Sequence, residues 1–419
     1  RYFCLFYNHC LLLVIFMKIG LITIGAELLN GTRTDTNASW IGQSVESTGA
    51  SINWHMTVND NYDSIINSLD NVPIDIKIVL CTGGLGPTHD DITPSVLYKY
   101  FNDKPLFDQK YWTTLKEKFK TRGIEISESN KSQAMIPQNG KIIPNPIGSA
   151  RGLHFKNNNF QLFSMPGVPS EMKLMMNNYI LPIIDKKTQK KNYVKLIRTT
   201  GIMESSLFDI IEPYLNDNNI SLAFLPSFTG VDLRISSNIN DDLIIFLDKI
   251  LPLLSKYYYA DDHIELEDVL GEVIINKKKT ISTAESCTGG LISNRLTNTP
   301  KSSSYFKGGI IAYSNSIKIK LLNVNQGIIN KYGAVSKEVA LEMAQGIRKR
   351  MNVDIGLSTT GIAGPGGGSK DKPIGLVYIG LSTSNFEKVY KFNFSKNRKT
   401  NKLMTSQAAL NILRNYLND

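Results

Sequence analysis

The stretch "DIKIVLCTGG", residues 75–84, is a short apolar run that ends in two glycines. A run of this kind is the pattern of a buried parallel strand that feeds a loop and then a helix. Upstream, "KIGLITIG" (18–25) reads as another such strand. It is followed by a polar loop, a helix over "ASWIGQSVESTG", a strand over "ASINWHMTV" and a helix to about Leu69. Repeated βαβ units predict a mostly parallel, doubly wound sheet with helices on both faces. They also place ligands beyond the carboxyl ends of the strands. The loops after Ile24 and after Cys81 are therefore where a site is expected.

Texture divides the rest of the chain. A polar, basic link around Pro182–Lys191 precedes "YVKLIRTTG", "SLAFLPSFTGVDLRISS" and the amphipathic "DDLIIFLDKILPLLSKY", a small α+β unit. The acidic stretch "YADDHIELE" marks a second boundary. Beyond it "KTISTAES", "GGIIAYS", "DIGLSTTG" and "IGLVYIGLS" read as strands, with helices after the first three. The expected division is 17–172, 173–258 and 259–419.

A chain of 419 residues with 42% hydrophobic content holds several packed cores. The formal charge of +10 comes from 47 Lys and Arg spread thinly, which argues against a nucleic-acid partner, since clustered basic faces carry that signal. Cys4, Cys10, Cys81 and Cys287 show no CxxC spacing, and a reducing, cytoplasmic compartment follows. The apolar run Leu11 to Met17 is far shorter than a bilayer span. With only Arg1 as a charged flank and no small-residue cleavage site, residues 1–16 are read as an upstream extension outside the fold.

Chemistry concentrates at the predicted strand ends. "GAELLNGTRTDTN" supplies Gly25, Glu27, Asp35 and Asn37, and "TGGLGPTHDDITP" supplies Gly83, Gly84 and Gly86 with Asp90 and Asp91. Glycine loops bring amide N–H groups to an anion, and carboxylates beside them suit a hydrated divalent cation bridging to phosphate. Taken alone, the same loop serves equally as a turn. His89 reads as a solvated loop histidine in preference to a metal ligand.

In "TAESCTGGL" (283–291) Ser286 and Cys287 both stand at a predicted helix start. Cysteine is the better nucleophile, and a helix N-terminus lowers its pKa. It needs a partner base, however, and no histidine follows residue 264. Lysine activates serine when it is partly neutral. Lys318 is expected in the first turn of a helix capped by Asn315 or Ser316, where dipole and burial lower its pKa. Tyr313 is placed to relay a proton or hold the lysine. Without further support the favoured reading of these two is a solvated helix lysine and an ordinary strand tyrosine.

That support is a resemblance. "IGAELLNGTRTDTN", "VNDN" (58–61), "CTGGLGPTHDDITP" and "MPGVPSEM" (165–172) stand in the order of the MoaB/MogA-like molybdopterin-binding domain found at the front of CinA proteins. The resemblance implies a doubly wound domain that binds a phosphorylated nucleotide and, with a divalent metal cation, hydrolyses ADP-ribose to AMP and ribose 5-phosphate. Asp60 and Asp91 match its catalytic and metal-binding acids. Gly25, Glu27, Asp35, Asn37, Gly83, Gly84, Gly86, Asp90, Gly167 and Glu171 are carried over as substrate contacts.

The middle unit resembles the KH-like segment of CinA chains, without the GXXG loop that clamps RNA. A spacer or homodimer-forming role is expected. Residues 262–417 resemble the PncC type of nicotinamide mononucleotide deamidase, an α/β domain that needs no cofactor. The resemblance implies a Ser286, Tyr313 and Lys318 group that hydrolyses the carboxamide. Cys287, Thr288, Gly289, Asn315, Thr360, Gly361, Gly364 and Gly366 are the expected substrate contacts, and the amides of Cys287 and Thr288 the oxyanion donors. Many relatives carry an acid where this chain has Gly366. Two other readings stay open: a front domain that only binds a pterin or nucleotide, and a competence or damage factor associated with DNA.

Overall fold

The computed structural model describes residues 17–188, 191–215, 219–394 and 396–418. Residues 1–16, read from sequence as an extension, lie outside the described residues. The chain forms two compact units, divided between Val194 and Lys195.

In the first unit, strands β1 (Met17–Ile24), β2 (Ala50–Val58) and β3 (Ile78–Thr82) lie in one sheet. A ribbon of β4 (Pro105–Phe107) and β5 (Met135–Pro137) stands apart from it, and β6 (Lys141–Ile143), β7 (Gly152–Lys156) and β8 (Gln161–Met165) complete the main sheet. Its order is β2-β1-β3-β8-β7-β6. The first four strands are parallel and β7 and β6 antiparallel. Period-two alternation sends Ile19 and Leu21 of β1 into one core and Ile22 and Ile24 into another. Buried aliphatic side chains of this kind each contribute about 1.5–3 kcal/mol.

The first domain does not close at residue 172 as expected. Helical backbone runs from Pro169 to Asp185, and its Met172, Met175, Met176, Ile180 and Ile184 belong to the core around Ile19 and Phe163.

The second unit holds two sheets. β9 (Tyr193–Thr199), β10 (Ser221–Pro226), β11 (Val231–Ser237) and β12 (Tyr258–Asp261) form a four-stranded sheet ordered β10-β11-β9-β12. β12 pairs with β9, so a boundary at residue 258 would cut through a strand. The other sheet runs β14-β13-β15-β16-β17, built from β13 (Ile281–Glu285), β14 (Phe306–Ile311), β15 (Ile355–Gly361), β16 (Leu376–Ser382) and β17 (Glu387–Asn393). β14, β13 and β15 are parallel, but β16 and β17 are antiparallel. The helix expected after "DIGLSTTG" is a correction: residues 362–375 are a glycine-rich loop that turns the chain back into β16. Five glycines and two prolines from Gly364 to Gly375 leave little to propagate a helix.

A buried polar network joins the helices of this unit. Arg295 donates through Nη2 and Nε to Glu267 Oε2 at 2.6 and 3.1 Å, and to Ser406 and Gln407. Gln407 donates in turn to the hydroxyl of Thr200, at the end of β9. Breaking a buried pair strands a charge, whereas removing both partners does not. Arg295→Met should therefore cost about 3–5 kcal/mol in urea denaturation followed by circular dichroism. The double variant Glu267→Leu/Arg295→Met should recover most of that loss.

Candidate functional site

In the second unit, chemistry gathers where β13, β14 and β15 end. The Ser286 N–H donates to Thr359 O (2.9 Å) and the Ala312 N–H to Glu285 O (2.8 Å), so the ladder holds both loops at their first residue. The helix that follows, Leu291–Asn298, starts only after Gly290. Its first N–H groups are taken by Glu285, whose carboxylate accepts from Gly290, Ile292 and Ser293 at 2.8–3.1 Å. Ser286 and Cys287 therefore stand ahead of the helix, outside its first turn. The Cys287 thiol gains nothing from the dipole, and burial pushes it up to about 12. The expectation that a helix start would activate Cys287 is overturned.

Lys318 is 1% exposed and its ammonium has three acceptors. These are Ser286 Oγ at 3.0 Å, Ala312 O at 2.7 Å and Tyr313 O at 3.3 Å. Its helix, Asn315–Leu322, is capped by Ser314, which accepts from the Ile317 N–H, and not by Asn315 or Ser316. Burial brings the Lys318 pKa down from 10.5 to about 8. A neutral amine has two hydrogens and one lone pair. With the two carbonyls accepting the hydrogens, the lone pair is left for the Ser286 hydroxyl.

A cavity of about 190 Å³ adjoins these groups, lined among others by Ser286, Cys287, Asn315, Thr360 and Gly361. Thr360 donates to Ala334 O (2.8 Å), tying two lining residues of the cavity together. Thr288, Gly289, Gly364 and Gly366 do not line it: Thr288 is buried against Thr359, and Gly366 faces open space. Tyr313 lines the cavity, yet it is 61% exposed and its hydroxyl accepts from Arg398 at 2.7 Å. It serves Lys318 through its carbonyl and not its phenol. Arg398, which also donates to Gly364 O, is a lining residue that sequence reasoning missed. Nothing in "FSKNRKT" sets it apart from neighbouring basic residues.

In the first unit, a cleft of about 660 Å³ opens at the ends of β1 and β3. Gly25, Glu27, Asp60, Gly83, Gly84, Gly86, Asp90, Asp91, Gly167 and Glu171 all line it. A smaller branch of about 110 Å³ adds Asp35 and Asn37. Asp91 Oδ2 accepts from the N–H and hydroxyl of Thr88, so it also braces the glycine loop. Asp60 Oδ1 is buried without a protein partner. Burial, together with Glu27, Asp91 and Asp90, holds the Asp60 carboxyl above its usual range. Such hard oxygen donors suit a divalent cation. Among the described residues, though, no three His, Cys, Asp or Glu side chains gather closely enough to hold one unaided. His89 is exposed and pairs with Asp90 at 3.0 Å.

Known proteins resemble this chain in sequence. Residues 263–417 match the profile of the CinA C-terminal domain, 20–186 that of a probable molybdopterin binding domain, and 194–260 that of the damage-inducible protein CinA KH domain. A competence-damage inducible protein of Caldicellulosiruptor saccharolyticus is 39% identical over 95% of this chain and 98% of its own. The chain belongs to the CinA family. A second relative so described, from Halothermothrix orenii, is 38% identical over 96% of this chain and 99% of its own. The solved structure of the competence/damage inducible protein CihA from Agrobacterium tumefaciens is 36% identical, covering 37% of this chain and 98% of that one, with a TM-score of 0.35. The CinA chain is thus of mixed α/β class, with a MoaB-like front domain, a KH-like middle and the CinA C-terminal domain. No helix among the described residues is long and apolar enough to cross a membrane.

The Lys318 shift fixes a pH dependence. The neutral amine becomes the major form as pH rises through about 8, so any reaction it assists as a base gains rate over that window. Between the ordinary 10.5 and about 8 the unfolded chain binds a proton that the folded chain refuses. Stability contributed by this group is therefore lost as pH falls through the window. Rate profiles of wild type and Lys318→Met should differ by this limb, and Lys318→Arg, permanently charged, should not restore it.

Proposed function

We propose that the C-terminal domain hydrolyses the carboxamide of nicotinamide mononucleotide to nicotinate mononucleotide and ammonia. The observation that carries the reading is the Nζ of a buried lysine 3.0 Å from Ser286 Oγ. Ser286 Oγ attacks the amide carbon while Lys318 takes its proton. The N–H groups of Cys287 and Thr288 stabilise the oxyanion. Lys318 returns the proton to nitrogen as the C–N bond breaks and ammonia leaves. Water then attacks the acyl-serine with Lys318 again as base, releasing the carboxylate. Arg398, exposed at the cavity edge with Tyr313, supplies positive charge for the substrate's phosphate.

The test is ammonia release from nicotinamide mononucleotide by the full chain. Ser286→Ala should lower kcat by about 10³-fold or more, in line with loss of a nucleophile, while Cys287→Ala keeps most activity. An inactive Cys287→Ala beside an active Ser286→Ala would overturn the mechanism.

The front cleft, in the same reading, hydrolyses the pyrophosphate of ADP-ribose. Asp60 and Asp91 would hold a divalent cation, which neutralises phosphate charge and helps to activate water. The unpartnered, buried Asp60 Oδ1 supports this. Asp60→Asn should abolish AMP release from ADP-ribose across magnesium, manganese and cobalt. Wild type that binds ADP-ribose yet releases no AMP with any of them would mark a binding module instead.

A further inference from the structure

The small branch of the front cleft has a fixed hydrogen-bonding polarity. Asn37 is 8% exposed, and its Nδ2 donates to Thr82 Oγ1 at 3.2 Å and to Gly167 O at 2.9 Å. Thr82 has one hydroxyl hydrogen, which goes to Pro166 O at 3.0 Å, so its oxygen is left to accept from Asn37. Gly167 O has no other capacity than to accept. The amide nitrogen of Asn37 is thereby locked inward, and Oδ1, buried and without a protein partner, is an acceptor for the branch it lines.

Asp35 repeats the arrangement. Its Oδ1 accepts from the Ala38 N–H at 2.8 Å, capping the helix Thr36–Glu46, while Oδ2 is buried and unpartnered. The helix N-terminus that would otherwise attract phosphate is already filled by a carboxylate. Both acceptors line the one branch and one of them is anionic, so the pair calls for a group that donates twice. No aromatic ring lines the branch on which a base would stack.

We propose that this branch recognises the cis-diol of a ribose of the substrate, its hydroxyls donating to Asn37 Oδ1 and Asp35 Oδ2. The phosphates then lie toward the amides of Gly84, Leu85 and Gly86, which line the adjoining cleft, and toward Arg33, which lines both the branch and the cleft. The assignment rests on the reading of that cleft as an ADP-ribose site and sets the direction in which the substrate lies.

Calorimetric titration of the full chain tests it with ADP-ribose, its 2′-deoxy analogues at either ribose, its inosine counterpart and inorganic pyrophosphate. Wild type should bind one deoxy analogue about 10- to 100-fold more weakly, the effect of leaving a buried acceptor unpaired. Asp35→Asn retains an oxygen for the cap and, like Asn37→Leu, should lose that discrimination without losing pyrophosphate affinity. Equal binding of ADP-ribose and both deoxy analogues by wild type overturns the proposal and leaves the ADP-ribose reading intact. So does discrimination confined to the inosine counterpart. Wild type that binds no ADP-ribose overturns both. The wild-type arm decides the matter even if a variant fails to fold.

Discussion

Parallel strands that stop at a common level leave the next backbone groups in need of partners, and both candidate clefts are built on how this is met. One further rung is made at each end: the N–H groups of Gly25, Gly83, Ser286 and Ala312 all donate to a neighbouring strand or its extension. The first residue of each loop is thus as fixed as the sheet itself, and only beyond it does the chain diverge. Ser286 is such a first residue. A side chain on a residue held by the last rung of a ladder needs little reorganisation to stay aligned with a partner such as Lys318 on the adjoining helix.

A second device recurs. Asp35 and Glu285 each place a carboxylate on the N–H groups of the helix that follows. Helix N-termini near strand ends are ready anion sites, and here both are already satisfied from within the chain. The positive charge that remains at the two clefts, Lys318 apart, is that of lining arginines, Arg33 in the first unit and Arg398 in the second. Lys318 is likewise held without a carboxylate: two carbonyls, Ala312 O and Tyr313 O, hold its amine. An ion pair would stabilise the ammonium, whereas carbonyls tolerate either protonation state.

Much of this was legible in the chain before folding, because it is local. Apolar runs ending in glycine marked β1 and β3, and the absence of histidine after residue 264 turned attention from Cys287 to Ser286 and Lys318. What escaped depends on tertiary context. Arg398 reaches the cavity only because the last helix starts beside the loop after β15. The antiparallel return into β16 is set by pairing along the sheet, which periodicity does not encode. The cap of the Lys318 helix fell one residue earlier than expected, since Ser, Asn and Ser in succession are equivalent cap candidates. Tyr313 was assigned through its phenol, but exposure turns the ring to Arg398 and leaves the backbone to serve the lysine.

The helix Arg398–Asn418 ties two parts of the second unit together. Its 21 residues span about 31 Å at 1.5 Å per residue. Its first residue sits in the Ser286 cavity, Gln407 near its middle holds Thr200, and Arg414 donates to the carbonyls of Lys256 and Tyr258. One continuous helix is therefore hydrogen-bonded to the KH-like sheet where β9 ends and β12 begins, and reaches the cavity wall with its first residue. The guanidinium at the cavity and the contacts to the KH-like sheet are thus carried by a single helix.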